Sequence, residues 1–348
     1  MSETHNIRKD HGRVLELIMA GWGSQVVRTL ATLSVAEHLE SAELSALQIA
    51  DRESSDPAMT HRVLRAGVVL GLLKYDSDKS VFVGTPMLRV LHGESPFSLK
   101  YYAQAAIGPA FWLPALLMPE AVAKGENRAR EALGTDLFSY FAHNQDESRK
   151  FAAAMSNISS PVIDEAVSII DVAEARLAVD VGGANGAFVS ALVQHNAQLS
   201  GVVFDLPHVV AGVADELERR ALPTRITGVS GDFFSSIPSA DIYLLKFVLH
   251  DWDDESCIRI LGNIRNAMNP GARLFIVEMM IANDAVSTGA ALMDVAMLAS
   301  NTGQERDFSQ FEKLLDSAHL TITRVAPVGD PYYLIEIEAS DRMNQPRT

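Results

Sequence analysis

The chain has 348 residues, 48% hydrophobic and 21% charged, enough length and apolar content for two domains with cores of their own, which excludes a disordered chain. Its 29 basic against 44 acidic residues give a net charge of −15, a balance that disfavours nucleic acid and anionic lipid and favours small-molecule partners. A single cysteine, Cys257, excludes an internal disulfide framework and a cysteine-rich zinc site and fits a reducing compartment.

The opening MSETHNIRKDHGR is polar, without an apolar core or a small-residue cleavage site. It is not a secretory signal, and a cytoplasmic location is expected. Up to about residue 170 the apolar spacing is mostly helical, and from Leu177 onward β-rich runs alternate with helical patterns. The expected division is a helical domain over 1–170, an α/β domain over 171–341 and a disordered tail at 342–348.

In the first domain Val14, Leu15, Leu17, Ile18, Met19, Trp22, Val26, Val27 and Leu30 surround a helix with more apolar surface than one buried stripe needs. A second copy of the chain would cover the surplus, and a homodimer is expected. In SDPAMTHRVLRAGVVLGLL, Asp56 reads as an N-cap and Pro57 as the first helical residue, with Val63, Ala66, Leu70 and Leu73 on one side. LKYDSDKSVFVGTP reads as a hairpin, after which Thr85 and Pro86 start another helix.

Helix, helix and hairpin outline a winged helix, the shape of many DNA readers. Residues 1–100 carry 11 Lys and Arg against 12 Asp and Glu, and the second helix offers only Arg62 and Arg65. Phosphate contacts need clustered positive charge, so nucleic acid is not an expected partner. The apolar run AAIGPAFWLPALLMP, Ala105 to Pro119, is shorter than the roughly 20 residues of a membrane span and is broken by Pro109, Pro114 and Pro119. It reads as a wall around a ligand or as a subunit contact, and no membrane association is expected.

The second domain reads as strands near Leu177–Gly182, Gly201–Asp205, Arg225–Ser230, Asp241–Lys246 and Ala272–Glu278, with a final pair near Leu320–Val325 and Tyr332–Glu338. This is a doubly wound, mostly parallel sheet of seven strands, Rossmann-like, which binds ligands beyond the carboxyl ends of its strands. LAVDVGGANGAF ends the first strand in a glycine-rich turn before a helix, and Asp205 ends the second, where a carboxylate accepts both hydroxyls of a ribose. From Gly182 the turn has alanine in the second and third glycine slots of G-x-G-x-x-G, so a pyrophosphate is not its natural guest. S-adenosyl-L-methionine carries no phosphate, and its sulfonium suits an acidic pocket. In GDFF, Asp232 and Phe233 suit an adenine, although the same pair would serve as a capping acid and a core aromatic.

In VDVGGANG, FDLPHV, GDFF, LLKFVLHDWDD, NPGARLFIVEMMI and MDVAMLASNTGQERDFSQF, and in their order, the chain resembles the class I S-adenosylmethionine-dependent O-methyltransferases. These are the small-molecule enzymes of plant caffeic acid, animal hydroxyindole and bacterial antibiotic-tailoring type. The resemblance spans nearly the whole chain and implies a winged-helix-like dimerisation domain ahead of the methyltransferase domain. By position it implies Gly182, Asp205, Leu206, Asp232, Phe233 and Lys246 as cofactor contacts, and S-adenosyl-L-homocysteine as the product, with no metal. It implies His250 as the general base with Glu278 and Glu305 as flanking acids, and Met155, Met297, Asn301 and Trp112 around the acceptor. LASNTGQERD is about a residue shorter than the plant pattern and lacks its proline.

In HDWDDES, Asp253, Asp254 and Glu255 serve a helix start. His250 stands at the carboxyl end of the fourth strand, and Glu278 ends the neighbouring fifth at the same edge. A carboxylate beside an imidazole selects one tautomer and stabilises the imidazolium, the equipment for removing a phenol's proton during in-line methyl transfer. Trp252 reads as a wall of the cofactor pocket. Trp112, Phe111, Phe138, Phe141, Met118, Met155 and Met297 suit a flat aromatic acceptor of more than one ring, while core packing explains any one of them equally. Rival readings are a family-like scaffold performing decarboxylation or hydroxylation, against which His250, Glu278 and Glu305 argue, and a winged-helix ligand-sensing regulator, against which the missing basic patch argues.

Overall fold

The computed structural model describes residues 3–95, 97–172, 174–219, 225–281 and 288–340, and the tail expected at 342–348 lies outside the described residues. The chain forms two compact units, Met1–Trp112 with Asn144–Ile158, and Leu113–His143 with Ser159–Thr348.

In the first unit, helix α1 spans Glu3–Thr32. Its last turns enter a core where Leu30 is buried with Val35, Ile49, Leu64, Leu73 and Phe82. Nearer its start Val14, Leu15, Leu17, Ile18, Met19 and Trp22 are each half or more exposed, the surplus apolar face expected from the spacing. Helix α2, Ala46–Glu53, starts at a capping box in which Ser45 and Gln48 satisfy each other's backbone amides. Helix α3, Pro57–Val69, starts where Asp56 Oδ1 accepts from the Met59 amide at 2.8 Å, with Pro57 at the first position, where no N–H is needed.

Strands β1, Leu73–Asp76, and β2, Val81–Gly84, pair antiparallel, and Leu44 bridges to Phe82. The winged-helix outline is therefore present. The helix expected to begin at Thr85 is instead a 3-10 turn, Leu88–Leu91. Thr85 directs its hydroxyl to the Gly71 and Leu72 carbonyls, which ties this stretch back to the hairpin and leaves one short turn to follow. Helix α4, Gln145–Ile169, runs on through the division at Ile158.

The second unit is built on seven strands: β3 Leu177–Val181, β4 Ser200–Asp205, β5 Ile226–Ser230, β6 Ala240–Lys246, β7 Met268–Met279, β8 Leu320–Pro327 and β9 Tyr332–Ala339. Their order is β5-β4-β3-β6-β7-β9-β8, with β3 to β7 parallel and β9 antiparallel to both neighbours. Both faces of β3, β4, β6 and the second half of β7 are covered, which is why these strands read as near-continuous apolar runs. Val179, Val181, Tyr243 and Leu245 pack with helix α6, Asp254–Ala267, and helix α8, Phe308–Ser317. Alternate residues Ala178, Ile242 and Leu244 pack with helix α5, Ala187–His195, and with the end of α4. Helix α7, Thr288–Ser300, precedes α8.

Central β3 has β4 on one side and β6 on the other, so the order reverses between β3 and β6. Doubly wound sheets take ligands at the carboxyl ends flanking that switch point. The Gly182 turn and the His250 loop both leave the sheet there. Among the described residues no helix is long and apolar enough to cross a membrane.

Candidate active site

At the end of β3 the chain turns through Gly182, whose φ of 69° is left-handed. A Cβ there would also crowd Val248 at 3.1 Å, so glycine is required twice over. Asp205, ending β4, closes this turn from the side: Oδ2 accepts from the Ala184 amide at 2.9 Å and Oδ1 from Leu206 at 2.7 Å. Burial pushes its carboxyl up, and the two amides and His208 pull it back. Inside β3, Asp180 is buried and accepts from the Val189 amide at 3.1 Å; burial pushes it up to about 6, against that amide and the charge of Lys246. Lys246, ending β6, holds its ammonium 4.5 Å over the Phe247 ring; burial lowers its pKa while Asp180 and Glu278 raise it.

Phe247 leaves β6 at φ 56°, a left-handed conformation that costs a non-glycine residue and swings the chain out of the sheet. A 3-10 turn, Leu249–Asp251, follows and presents His250. Glu278, from β7, is fully buried, and its Oε1 accepts from the Val248 and Leu249 amides at 3.0 and 2.9 Å. Among the described residues its Oε2 has no hydrogen-bond partner, and it stands 3.9 Å from His250 Nδ1.

Glu305 Oε1 lies 2.7 Å from the same nitrogen. With the carboxylate accepting, Nδ1 carries the proton and Nε2 keeps its lone pair in the neutral ring. On the Nε2 side Asp251 Oδ1 is 3.8 Å away, held by Asn301 Nδ2 at 2.6 Å. Three carboxylates thus surround one imidazole. Burial opposes charging the ring, but Glu278, Asp251 and Glu305 outweigh it and push the imidazole up to about 10. Burial likewise pushes Glu278 up to about 7 and Asp251 up to about 6, in both cases against the pull of His250.

His250, Glu278 and Glu305 bring one donor atom each within 4.8 Å of one another, a spacing open to a metal as well as to a proton. The commitment of Glu278 Oε1 to two amides and of Glu305 Oε1 to the ring favours the proton.

The segment after α7 backs this loop. A methyl on Gly303 would overlap the His250 carbonyl and the Trp252 amide nitrogen, so this backbone approach admits only glycine. Arg306 is 1% exposed and donates to the Leu249 and Trp252 carbonyls, each at 2.8 Å, and to Asp254 Oδ1. Asp253 caps α6 through the Ser256 amide at 2.8 Å, as its sequence position led us to expect.

Among the other expected site residues, Asp232 is exposed and accepts from the Phe234 amide at 2.8 Å within a turn that starts no helix, while Phe233 packs edge-on to Trp252. Trp252 itself stacks on Phe138 at 5.6 Å. Leu206 is partly exposed, and buried Met297 contacts Asn301 through sulfur. Met155, on α4, and Trp112, packed on Gly21 of α1, belong to the first unit. The sequence pattern gives no role to Asp180, Asp251 or Arg306. For Asp180 a signal existed, since an acid inside the apolar run LAVDV is expensive to bury.

Residues 117–320 match a family model described as an O-methyltransferase domain, and residues 15–93 one described as an O-methyltransferase dimerisation domain. The chain is 32% identical to O-methyltransferase SfmM3 of Streptomyces lavendulae, over 89% of this chain and 94% of that protein. The structure of mitomycin 7-O-methyltransferase MmcR is 27% identical and superposes with a TM-score of 0.91, covering 97% of this chain and 100% of that one. The O-methyltransferase NcsB1 of neocarzinostatin biosynthesis, solved with S-adenosylmethionine and 2-hydroxy-5-methyl naphthoic acid, is 26% identical with a TM-score of 0.80, covering 91% and 96%.

Proposed function

The chain belongs to the O-methyltransferase family, and on that premise we propose that it methylates a phenolic hydroxyl of an aromatic small molecule, with His250 as the general base. It is an S-adenosylmethionine-dependent O-methyltransferase of the bacterial secondary-metabolite tailoring type. The cofactor supplies an electrophilic methyl on a positively charged sulfur. This chain's residues fit such a guest: a left-handed glycine turn at Gly182 with Asp205 closing it from the side, and Glu278 Oε2 buried beside other acids and, among the described residues, without a hydrogen-bond partner. Asp205 is the residue to meet the ribose, with Leu206, Asp232, Phe233 and Lys246 completing the contacts, and S-adenosyl-L-homocysteine is the product.

The observation that carries the mechanism is the 2.7 Å contact between His250 Nδ1 and buried Glu305, which commits one nitrogen and leaves the other for the acceptor. A phenol, with a pKa of about 10, is protonated at neutral pH, and removing its proton as the bond forms contributes ~10²–10⁴-fold. The ring must be neutral to accept that proton, whereas alone among three carboxylates it is pushed up to about 10. Added positive charge lowers an imidazole pKa, so a cationic cofactor favours the neutral ring. The carboxylates then stabilise the imidazolium as it forms. In-line displacement gains most from fixed geometry, which the hydrogen bonds of Glu278, Glu305 and Arg306 to this loop provide.

The naphthoic acid bound by NcsB1 supports a hydroxylated aromatic of more than one ring as acceptor. Met297 and Asn301 are the residues of the second unit proposed to shape its pocket. The dimerisation-domain match and the exposed face of α1 support a homodimer.

The test is His250→Ala. With a weakly acidic phenol, kcat is expected to fall by about 10²-fold or more while cofactor affinity by calorimetry is unchanged. A nitro-substituted analogue, ionised in solution, should lose much less. Full turnover of the weakly acidic phenol by the variant would overturn the assignment.

A further inference from the structure

The segment Asn301 to Arg306 grips the base loop residue by residue. Asn301 donates to Asp251, Gly303 lies against the His250 backbone, Glu305 meets Nδ1, and Arg306 holds the carbonyls of Leu249 and Trp252. Successive side chains of an extended backbone point to opposite sides, so Glu305 and Arg306 take the loop from two directions. The segment is itself anchored: the Arg306 carbonyl accepts from the Ile281 amide at 3.2 Å, just beyond the strand that carries Glu278. A guanidinium this buried is costly unless its donors are satisfied, and here Nε and both terminal nitrogens have acceptors.

We propose that Arg306 is a positioning residue for methyl transfer: by tying the carbonyls on either side of His250 to the segment bearing Glu305, it fixes Nδ1 on that carboxylate and aims Nε2 at the acceptor. This rests on His250 being the base. A purely structural Arg306 would change stability and leave the ring's hydrogen bond and the chemistry of the folded enzyme untouched.

The experiment compares Arg306→Met, which keeps length without donors, Arg306→Lys, and Asp254→Ala, which frees the outer end of the guanidinium at a side chain 62% exposed. Each is measured for kcat with a weakly acidic phenol, for S-adenosylmethionine affinity by calorimetry, and for the downfield proton NMR signal of His250 Nδ1–H. Arg306→Met is expected to lower kcat by about 10–100-fold, with cofactor Kd within about twofold and the Nδ1–H signal lost or shifted. Lysine should restore part of both. In a His250→Ala background, Arg306→Met should change kcat by less than about twofold, since no base remains to be positioned.

A lower Tm with unchanged kcat and unchanged NMR signal overturns the proposal, as does a full loss in the His250→Ala background. If Arg306→Met does not fold, Asp254→Ala must show a smaller loss of the same kind, and its absence counts against the proposal. Should His250→Ala alone keep full turnover, the base assignment fails by itself. The Nδ1–H signal still decides whether Arg306 holds the ring.

Discussion

At the scale of single residues, the electrostatics of His250 govern pH dependence. The folded chain holds the imidazole proton more tightly than an unfolded chain, so that stabilisation is complete below about 6.5 and is lost as pH rises through about 10. Glu278, raised from 4.5 to about 7, works in the same direction, because its buried carboxyl resists ionising. Glu305→Gln keeps an acceptor for Nδ1–H and removes a charge that stabilises imidazolium. The rising limb of kcat/KM against pH should therefore move to lower pH by about one unit, with a lower plateau and a shallower alkaline loss of Tm. A limb that stays in place would show that Glu305 does not tune the ring. His250 and Glu278 could be placed at one edge from the sequence because strand ends of a parallel sheet gather there. Asp251 could not be given a role, since its neighbour Asn301 is 50 positions away.

At the scale of elements, the central strands were legible because burial on both faces demands apolar runs, and the caps because Asp56 and Asp253 occupy their positions before helices. The clasp formed by Asn301 to Arg306 was not. Nothing in its composition says which carbonyls a buried arginine will find, and the required glycine at 303 has no unusual φ to announce it. The turn at Thr85 misled for a related reason: its hydroxyl bonds across to Gly71 and Leu72, beyond any local pattern. Gly303→Ala tests the clasp as an element. The added methyl has nowhere to go, so chemical denaturation should show a loss of about 1–3 kcal/mol, with a fall in kcat larger than unfolding explains. Parent-like stability and turnover would mean that the backbone contact gives way freely.

At the scale of the whole molecule, the net charge of −15 and the exposed apolar face of α1 bear on association. Light scattering at micromolar concentration should report twice the 37.8 kDa chain mass, and Ile18→Asp, in the middle of the exposed apolar face, should return it to that of one chain. A parent that runs as a single chain would contradict the dimer. The surplus apolar surface was readable in the sequence, whereas the inclusion of Leu113–His143 in the second unit was not, because helical spacing is the same in either unit. The chain's three tryptophans have distinct settings: Trp22 on the bare face of α1, Trp112 against Gly21, and Trp252 stacked on Phe138 two positions past the base. Indole emission moves to shorter wavelength as water leaves the ring. The protein thus carries its own optical gauges, with Trp22 brightening or dimming on assembly and dilution, and Trp252 reporting whether the loop that bears the base is seated or sprung.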